Sequence, residues 1–98
     1  MIIRIVKLSF HEQQTLSFKK IFEENKRTIL AQKGCERLEL LQDLNDKNIF
    51  FTYSWWDCEE NLNAYRESDW FRKLWNKTKL LFKEKPVAWS TKKISDVE

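Results

Sequence analysis

The feature that most constrains the fold is the order in which apolar periodicity changes along the chain. Alternating or β-branched segments predict four strands, and two longer stretches repeat at the helical spacing of about 3.6 residues. The predicted strands are residues 2–10, 35–43, 49–56 and 87–94, and the predicted helical regions are residues 11–31 and 57–85. Residues 44–48 contain Asn and Asp, which favour a turn, so the second and third strands form a predicted hairpin.

Local signals mark the ends of the predicted helices. Gly34 follows the first helix, where a left-handed residue often ends a helix. Asp57 is the predicted N-cap of the second region, with Glu60 as its capping-box partner. Ser68 predicts a new helix start within that region, and Pro86 ends it. The expected apolar face of the first helix comprises Leu16, Ile21, Phe22, Ile29 and Leu30, with Phe18 at its border.

The resulting order is strand, helix, strand, strand, helix, strand, which predicts an α+β fold. We expect a ferredoxin-like βαββαβ sandwich, in which both helices cover one face of an antiparallel sheet. Residues 1–94 are predicted to form this single domain, and residues 95–98 a frayed tail. No predicted element remains to cover the other face of the sheet, so we expect a homodimer through this open face.

Composition excludes several kinds of chemistry. The chain has one Gly and one His, so it lacks a glycine-rich phosphate loop, a GxSxG nucleophile elbow and a histidine-rich metal site. Cys35 and Cys58 form no CxxC pair, and we interpret them as small hydrophobic residues of the interior. We therefore expect no cofactor and no metal.

Charge and hydropathy bear on partners and location. A net charge of +3 is too small to predict nucleic-acid binding, and the lysine-rich stretch of residues 72–85 is interpreted as a solvated helix face. No apolar run approaches the roughly 20 residues of a membrane span, so no membrane partner is expected. The apolar N-terminus is interpreted as a strand and not as a signal peptide, which, with two unpaired cysteines, favours the cytoplasm.

One long segment resembles a known family. Trp56 ends a predicted strand and is followed by an acidic helix start, an aromatic residue at position 65, and Ser-Asp-Trp-Phe at residues 68–71. In this order and spacing the segment is similar to the antibiotic biosynthesis monooxygenase family, whose members form dimeric α/β barrels. The Gly-Cys step at residues 34–35 is similar as well, and the resemblance covers nearly the whole chain.

The resemblance implies more than one activity. Some members are cofactor-independent oxygenases of electron-rich aromatic or quinol compounds, one branch degrades heme, and others are isomerases or have no known activity. The heme-degrading branch carries Asn, Trp and His at the positions that correspond here to Val6, Tyr65 and Trp75. Because the heme iron would lose its histidine ligand at position 75, heme degradation is disfavoured.

The aromatic pattern predicts a small pocket for a ligand between the second helical region and the sheet. The residues expected to line it are Trp56, Trp70, Trp75, Arg4 and Val6. Tyr65 and Asn61 are candidates for hydrogen bonding to a carbonyl or hydroxyl group. His11 is a candidate general base, because histidine titrates near neutral pH. The alternatives are plain core packing of the aromatic residues and a solvated or capping His11.

The first strand places a cation on each of its faces. Arg4 and Lys7 point in opposite directions, so one of them faces a covered side of the sheet. A buried cation needs a partner, and a carboxylate of a second copy is favoured over an anionic ligand.

The leading hypothesis is a cofactor-independent monooxygenase of a small aromatic or quinol-type compound. One alternative is a non-catalytic protein of ligand binding or assembly on the same dimeric fold. A less favoured alternative is an isomerase of a small oxygenated metabolite. The fold by itself does not choose among them.

Overall fold

The computed structural model describes residues 1–97 and confirms the predicted element order. The strands are β1 (Ile2–Ser9), β2 (Cys35–Gln42), β3 (Ile49–Trp56) and β4 (Val87–Lys92). The α-helices are α1 (Thr15–Leu30), α2 (Glu59–Glu67) and α3 (Asp69–Lys79), and a 3-10 turn at Glu12–Gln14 precedes α1. None of the helices found among residues 1–97 has the length and apolar composition needed to cross a membrane.

The strands form one antiparallel sheet in the order β2-β3-β1-β4, which is the predicted ferredoxin-like topology. Arg4 lies opposite Ser54 of β3 and Ser90 of β4. Because side chains alternate along a strand, the even-numbered residues of β1 share one face with these partners. All three α-helices lie on this covered face, where they enclose Arg4 and Val6.

The odd-numbered residues of β1 lie on the opposite face, which we call the open face. Ile5 pairs in register with Tyr53 of β3 and with Trp89 of β4. Trp89 is 47% exposed. No element among residues 1–97 covers these apolar side chains, as the element order predicts.

The densest part of the core lies between α1 and the ends of β1 and β3. Its buried members are Leu8, Phe10, Phe18 and Phe50. The rings of Phe10 and Phe18 stack with their centroids 4.3 Å apart. The predicted face of α1 is therefore wrong in part, because Phe18 is buried whereas Leu16 is 77% exposed. Contact with Phe10 and Phe50 sets the rotation of α1, and this contact is not visible in the spacing of the helix alone.

The second helical region differs from its prediction at its start and its end. Cys58, not Asp57, is the N-cap of α2, and it forms no side-chain capping bond. The predicted capping box is wrong because the Asp57 carboxylate instead accepts a hydrogen bond from Asn61 Nδ2 at 2.8 Å. Helix α3 ends at Lys79, since the chain turns back to pair Phe82 with Phe10.

The C-terminal segment after β4 has no regular secondary structure in residues 93–97. The predicted frayed tail covers residues 95–98, of which residue 98 lies outside the described residues. The last strand is also shorter than predicted, because its pairing with β1 ends opposite Ile2. The boundary of the domain at residue 94 stays a prediction.

Candidate functional site

A cavity of about 370 Å³ lies between the helices and the covered face of the sheet. All four strands and all three α-helices contribute to its wall. Most of the wall is apolar, and its aromatic members are Phe18, Phe22, Tyr65, Phe71 and Trp75. Because ligand pockets for small molecules start at roughly 300 Å³, the cavity has room for one small organic compound.

The aromatic part of the wall is built by the helical spacing of α3. Phe71 and Trp75 are one turn apart, and their rings stack with centroids 5.8 Å apart. Trp75 also meets the ring of Phe82 edge-on at 5.4 Å, so it is held from both sides. Thr78, one turn further on, is buried, and its hydroxyl donates to the Leu74 carbonyl at 2.8 Å.

Tyr65 of α2 brings a polar group into this apolar surface. Its hydroxyl forms no hydrogen bond with another side chain or backbone group among residues 1–97. Burial raises the pKa of Tyr65 above its ordinary value, and the neighbouring Cys35 adds to the rise. The phenol is therefore protonated at neutral pH and is available as a hydrogen-bond donor to a ligand.

Trp56 supports Tyr65 from behind and does not line the cavity. The two rings stack with centroids 5.1 Å apart, and Trp56 is completely buried. The indole Nε1 donates to Ser54 Oγ at 2.9 Å, which satisfies its polar atom. Trp70 lies on another side of Tyr65, with ring centroids 6.4 Å apart, and is also outside the lining.

Arg4 and Arg66 supply positive charge to the same cavity. Arg4 Nη1 donates to Ser90 Oγ at 2.9 Å. Burial lowers the pKa of Arg4 from its ordinary value, and the charge of Arg66 lowers it further. Neither arginine forms an ion pair with a carboxylate in residues 1–97.

The remaining predicted residues lie away from the cavity. His11 is exposed and flanks the 3-10 turn without a side-chain capping bond. Asn61 lines a separate, smaller depression that it shares with Lys33 and one edge of Tyr65. The structure thus brings Arg4, Val6, Tyr65 and Trp75 to one cavity and leaves Trp56, Trp70, Asn61 and His11 outside its lining.

Asn61 takes part in a tight junction between the end of α1 and the start of α2. Gly34 has a φ of 87°, as its predicted left-handed position requires. Its carbonyl accepts from the Asp57 backbone N–H at 2.9 Å, and a Cβ at position 34 would overlap both Asp57 Oδ1 and Asn61. The hydrogen bond from Asn61 lowers the pKa of the Asp57 carboxyl.

Five polar lining residues were not predicted from the sequence: Asn25, Thr52, Ser54, Arg66 and Thr78. Arg66 stands one helical turn after Leu62, which is buried, so helical spacing could have found it. Asn25 lies between Phe22 and Ile29 on the inner stripe of α1, and its Nδ2 donates to the Ile21 carbonyl at 2.8 Å. Within residues 1–97, no three His, Cys, Asp or Glu side chains are grouped so that they could hold a metal ion.

Known proteins share sequence features and the fold of this chain. The sequence model of the family described as Antibiotic biosynthesis monooxygenase matches residues 1–77. No curated protein matches the chain.

Solved structures share the fold over nearly the full length of the chain. A candidate antibiotic biosynthesis monooxygenase from Nitrosomonas europaea is 18% identical, with 95% of this chain and 89% of that chain covered and a TM-score of 0.88. A variant of SnoaB, a cofactor-independent oxygenase from Streptomyces nogalater, is 12% identical, with 98% and 95% covered and a TM-score of 0.87. A conserved protein from Methanosarcina mazei is 19% identical, with 95% and 93% covered and a TM-score of 0.87.

Proposed function

Because the chain belongs to the antibiotic biosynthesis monooxygenase family, we propose that it is a cofactor-independent monooxygenase of a small aromatic or quinol-type compound. The observation that carries the proposal is the cavity of about 370 Å³, with aromatic walls and the unpartnered hydroxyl of Tyr65. Such a site can hold a flat ring, orient its oxygen and exclude water.

The proposed reaction needs no external reductant. The substrate loses its hydroxyl proton, and the electron-rich phenolate transfers an electron to O₂. The resulting superoxide bonds to a ring carbon that carries hydrogen, and the O–O bond then breaks. One oxygen atom stays on that carbon as a carbonyl, and the other leaves as water with the carbon-bound and hydroxyl hydrogens. The substrate is oxidised to a quinone by four electrons, which O₂ accepts.

The cavity residues have distinct parts in this proposal. Tyr65 donates a hydrogen bond to the substrate oxygen, and this bond strengthens as negative charge develops there. Trp75 and Phe71 pack against the ring and keep water out. Arg66, which is exposed on α2, adds positive charge to the cavity.

The decisive experiment is oxygen consumption with a panel of dihydroxynaphthalenes and anthrone-type compounds. We expect turnover by the wild-type protein and a loss of about ten- to a hundredfold in Tyr65→Phe, because one donor to the developing charge is removed. Tyr53→Phe makes the same chemical change on the open face and is the matched control, with an unchanged rate expected.

Two further variants test the other candidate residues. We expect His11→Ala and Asn61→Ala to keep most of the activity, because neither side chain lines the cavity. A large loss in His11→Ala would instead assign the base to the histidine. If no compound in the panel is consumed, the oxygenase proposal fails and the non-catalytic binding protein takes its place.

We also propose that two copies associate through the open face. Tyr53, Trp55 and Trp89 give this face an aromatic surface that a second copy would bury. At its β2 edge, Arg37 is paired with Glu39, and its guanidinium lies over the ring of Trp55 at 5.3 Å. The charges there are therefore already matched within one copy, which lowers the cost of burying them.

A further inference from the structure

The charges of the cavity are unbalanced. Arg4 and Arg66 both line it, and in residues 1–97 neither forms an ion pair with a carboxylate. Arg66 alone could be explained by its place in the last turn of α2, where a cation is favoured. Arg4 has no such explanation, because it lies within β1, is half-buried and lines the mostly apolar cavity on the covered face. A partly buried cation without a counter-ion is costly, unless an anion joins it.

The direction of Arg4 also excludes a carboxylate of a second copy on the open face as its partner. Arg4 lies on the covered face of the sheet, whereas Lys7 lies on the open face. A carboxylate of a second copy docked on the open face would meet Lys7, and the sheet would separate it from Arg4. An anion that pairs with Arg4 therefore has to reach it from the covered face, where the cavity lies.

The guanidinium of Arg4 has unused donors for such a partner. Among residues 1–97, its side chain forms one hydrogen bond, from Nη1 to the neutral hydroxyl of Ser90. Arginine has five N–H donors in a flat fork, which matches the two oxygens of a carboxylate. Tyr65 adds a neutral donor to the two cations, and no carboxylate is among the residues that line the cavity.

We propose that the cavity selects an aromatic carboxylate, with its carboxylate held by Arg4 and Arg66 and its ring packed against Trp75 and Phe71. This names the substrate class and rests on the proposed function: the oxygenated compound is a hydroxyaromatic acid. Tyr65 then contacts the reacting hydroxyl, while the two arginines bind the acid group. Selection by charge is separate from reaction with oxygen and can be measured without it.

The test is calorimetric titration near neutral pH with naphthoate and with naphthamide. The two probes have nearly the same shape, differ in charge and carry no hydroxyl group to be oxygenated. We expect naphthoate to bind at least about tenfold more tightly than naphthamide, because hydrogen bonds to a charged group are stronger than those to a neutral group. Added salt should weaken the binding of naphthoate and leave the binding of naphthamide unchanged.

Variants of each arginine test the assignment. Arg4→Gln and Arg66→Gln should each reduce the affinity for naphthoate to about the affinity for naphthamide. Because Arg4→Gln changes a residue of β1 and could impair folding, Arg66→Gln provides an independent test. Arg72→Gln removes an equal charge from the exposed surface of α3 and should leave both affinities unchanged. Equal affinities for the two probes, no naphthoate binding at about 1 mM, or a preference that survives both variants overturns the inference.

The two proposals fail in different ways. Oxygen consumption with neutral diols but no preference for naphthoate overturns the carboxylate site and leaves the monooxygenase. Charge-selective binding of naphthoate without oxygen consumption on any hydroxyaromatic compound keeps the carboxylate site, and the protein is then a binding protein for aromatic acids.

Discussion

Tyr65 connects the core of the molecule to the cavity. One side of its ring rests on the buried Trp56, while the hydroxyl has no protein partner among residues 1–97. The same packing that positions the ring half-buries the side chain, and this burial raises the pKa of the phenol. A phenol held in this state donates a hydrogen bond at neutral pH and does not act as a base.

The raised pKa of Tyr65 predicts how stability changes in alkaline solution. Above the ordinary tyrosine value of 10.0, the unfolded chain loses the phenol proton while the folded chain retains it. The unfolded state then binds fewer protons, so the free energy of unfolding falls as the pH rises. Urea unfolding between about pH 9 and about pH 11 should show this decline in the wild type and a smaller one in Tyr65→Phe.

Tyr53→Phe is the control for this measurement, because Tyr53 lies on the open face and does not line the cavity. The free energy of unfolding of Tyr53→Phe should decline with rising pH as much as that of the wild type. Parallel curves for the wild type and Tyr65→Phe would contradict the prediction.

The break between α2 and α3 depends on one serine. Ser68 Oγ donates to the Tyr65 carbonyl at 2.7 Å and accepts from the Phe71 backbone N–H at 3.1 Å. It therefore satisfies backbone groups at the end of one helix and at the start of the next. The change in direction brings the rings of Tyr65 and Phe71 to 4.9 Å, and both then line the cavity.

Removal of this cap should destabilise the protein. We expect Ser68→Ala to lower the free energy of unfolding by about 1 kcal/mol, because the Phe71 N–H loses its acceptor and the Tyr65 carbonyl loses one of its two donors. Ser68→Asp retains the acceptor for Phe71 and should recover most of the loss. Ser17→Ala, at an exposed position of α1, is the control, and urea unfolding should place it within about 0.5 kcal/mol of the wild type. Equal losses in Ser68→Ala and Ser17→Ala would argue against the cap.

At the level of the whole molecule, the sheet separates two surfaces. Alternation along β1 sends Arg4 and Val6 to the cavity, and Ile3 and Ile5 to the open face. A shift of the register by one residue would exchange these sets and place Arg4 on the open face. The cavity and the proposed dimer surface therefore depend on the same strand pairing.

A charge on the open face should prevent the proposed association. We expect the wild type to sediment as a dimer at micromolar concentration, and Trp89→Glu to sediment as a monomer, because an unpaired carboxylate would have to be buried. Leu44→Glu, at a position that is 98% exposed in the β2–β3 turn, should remain dimeric. A monomeric wild type would refute the role of the open face.

Element type and order follow from the sequence because they depend on neighbouring residues. The run of β-branched and aromatic residues over 49–56 predicts β3 at its observed bounds. The cap at Ser68 and the left-handed turn at Gly34 are also found as predicted. Each of these features arises within a few residues, so the order of elements and the ferredoxin-like fold could be predicted without coordinates.

The cavity depends on contacts between residues that are far apart in the chain. Only strand pairing brings Arg4 beside Ser90, and only the packing of α1 on Phe10 buries Phe18 in place of Leu16. For the same reason His11 and Asn61 stay outside the cavity. The sequence by itself determined the elements and their order. The tertiary structure decided which side chains share the cavity, because long-range packing, and not local periodicity, sets the rotation of each helix.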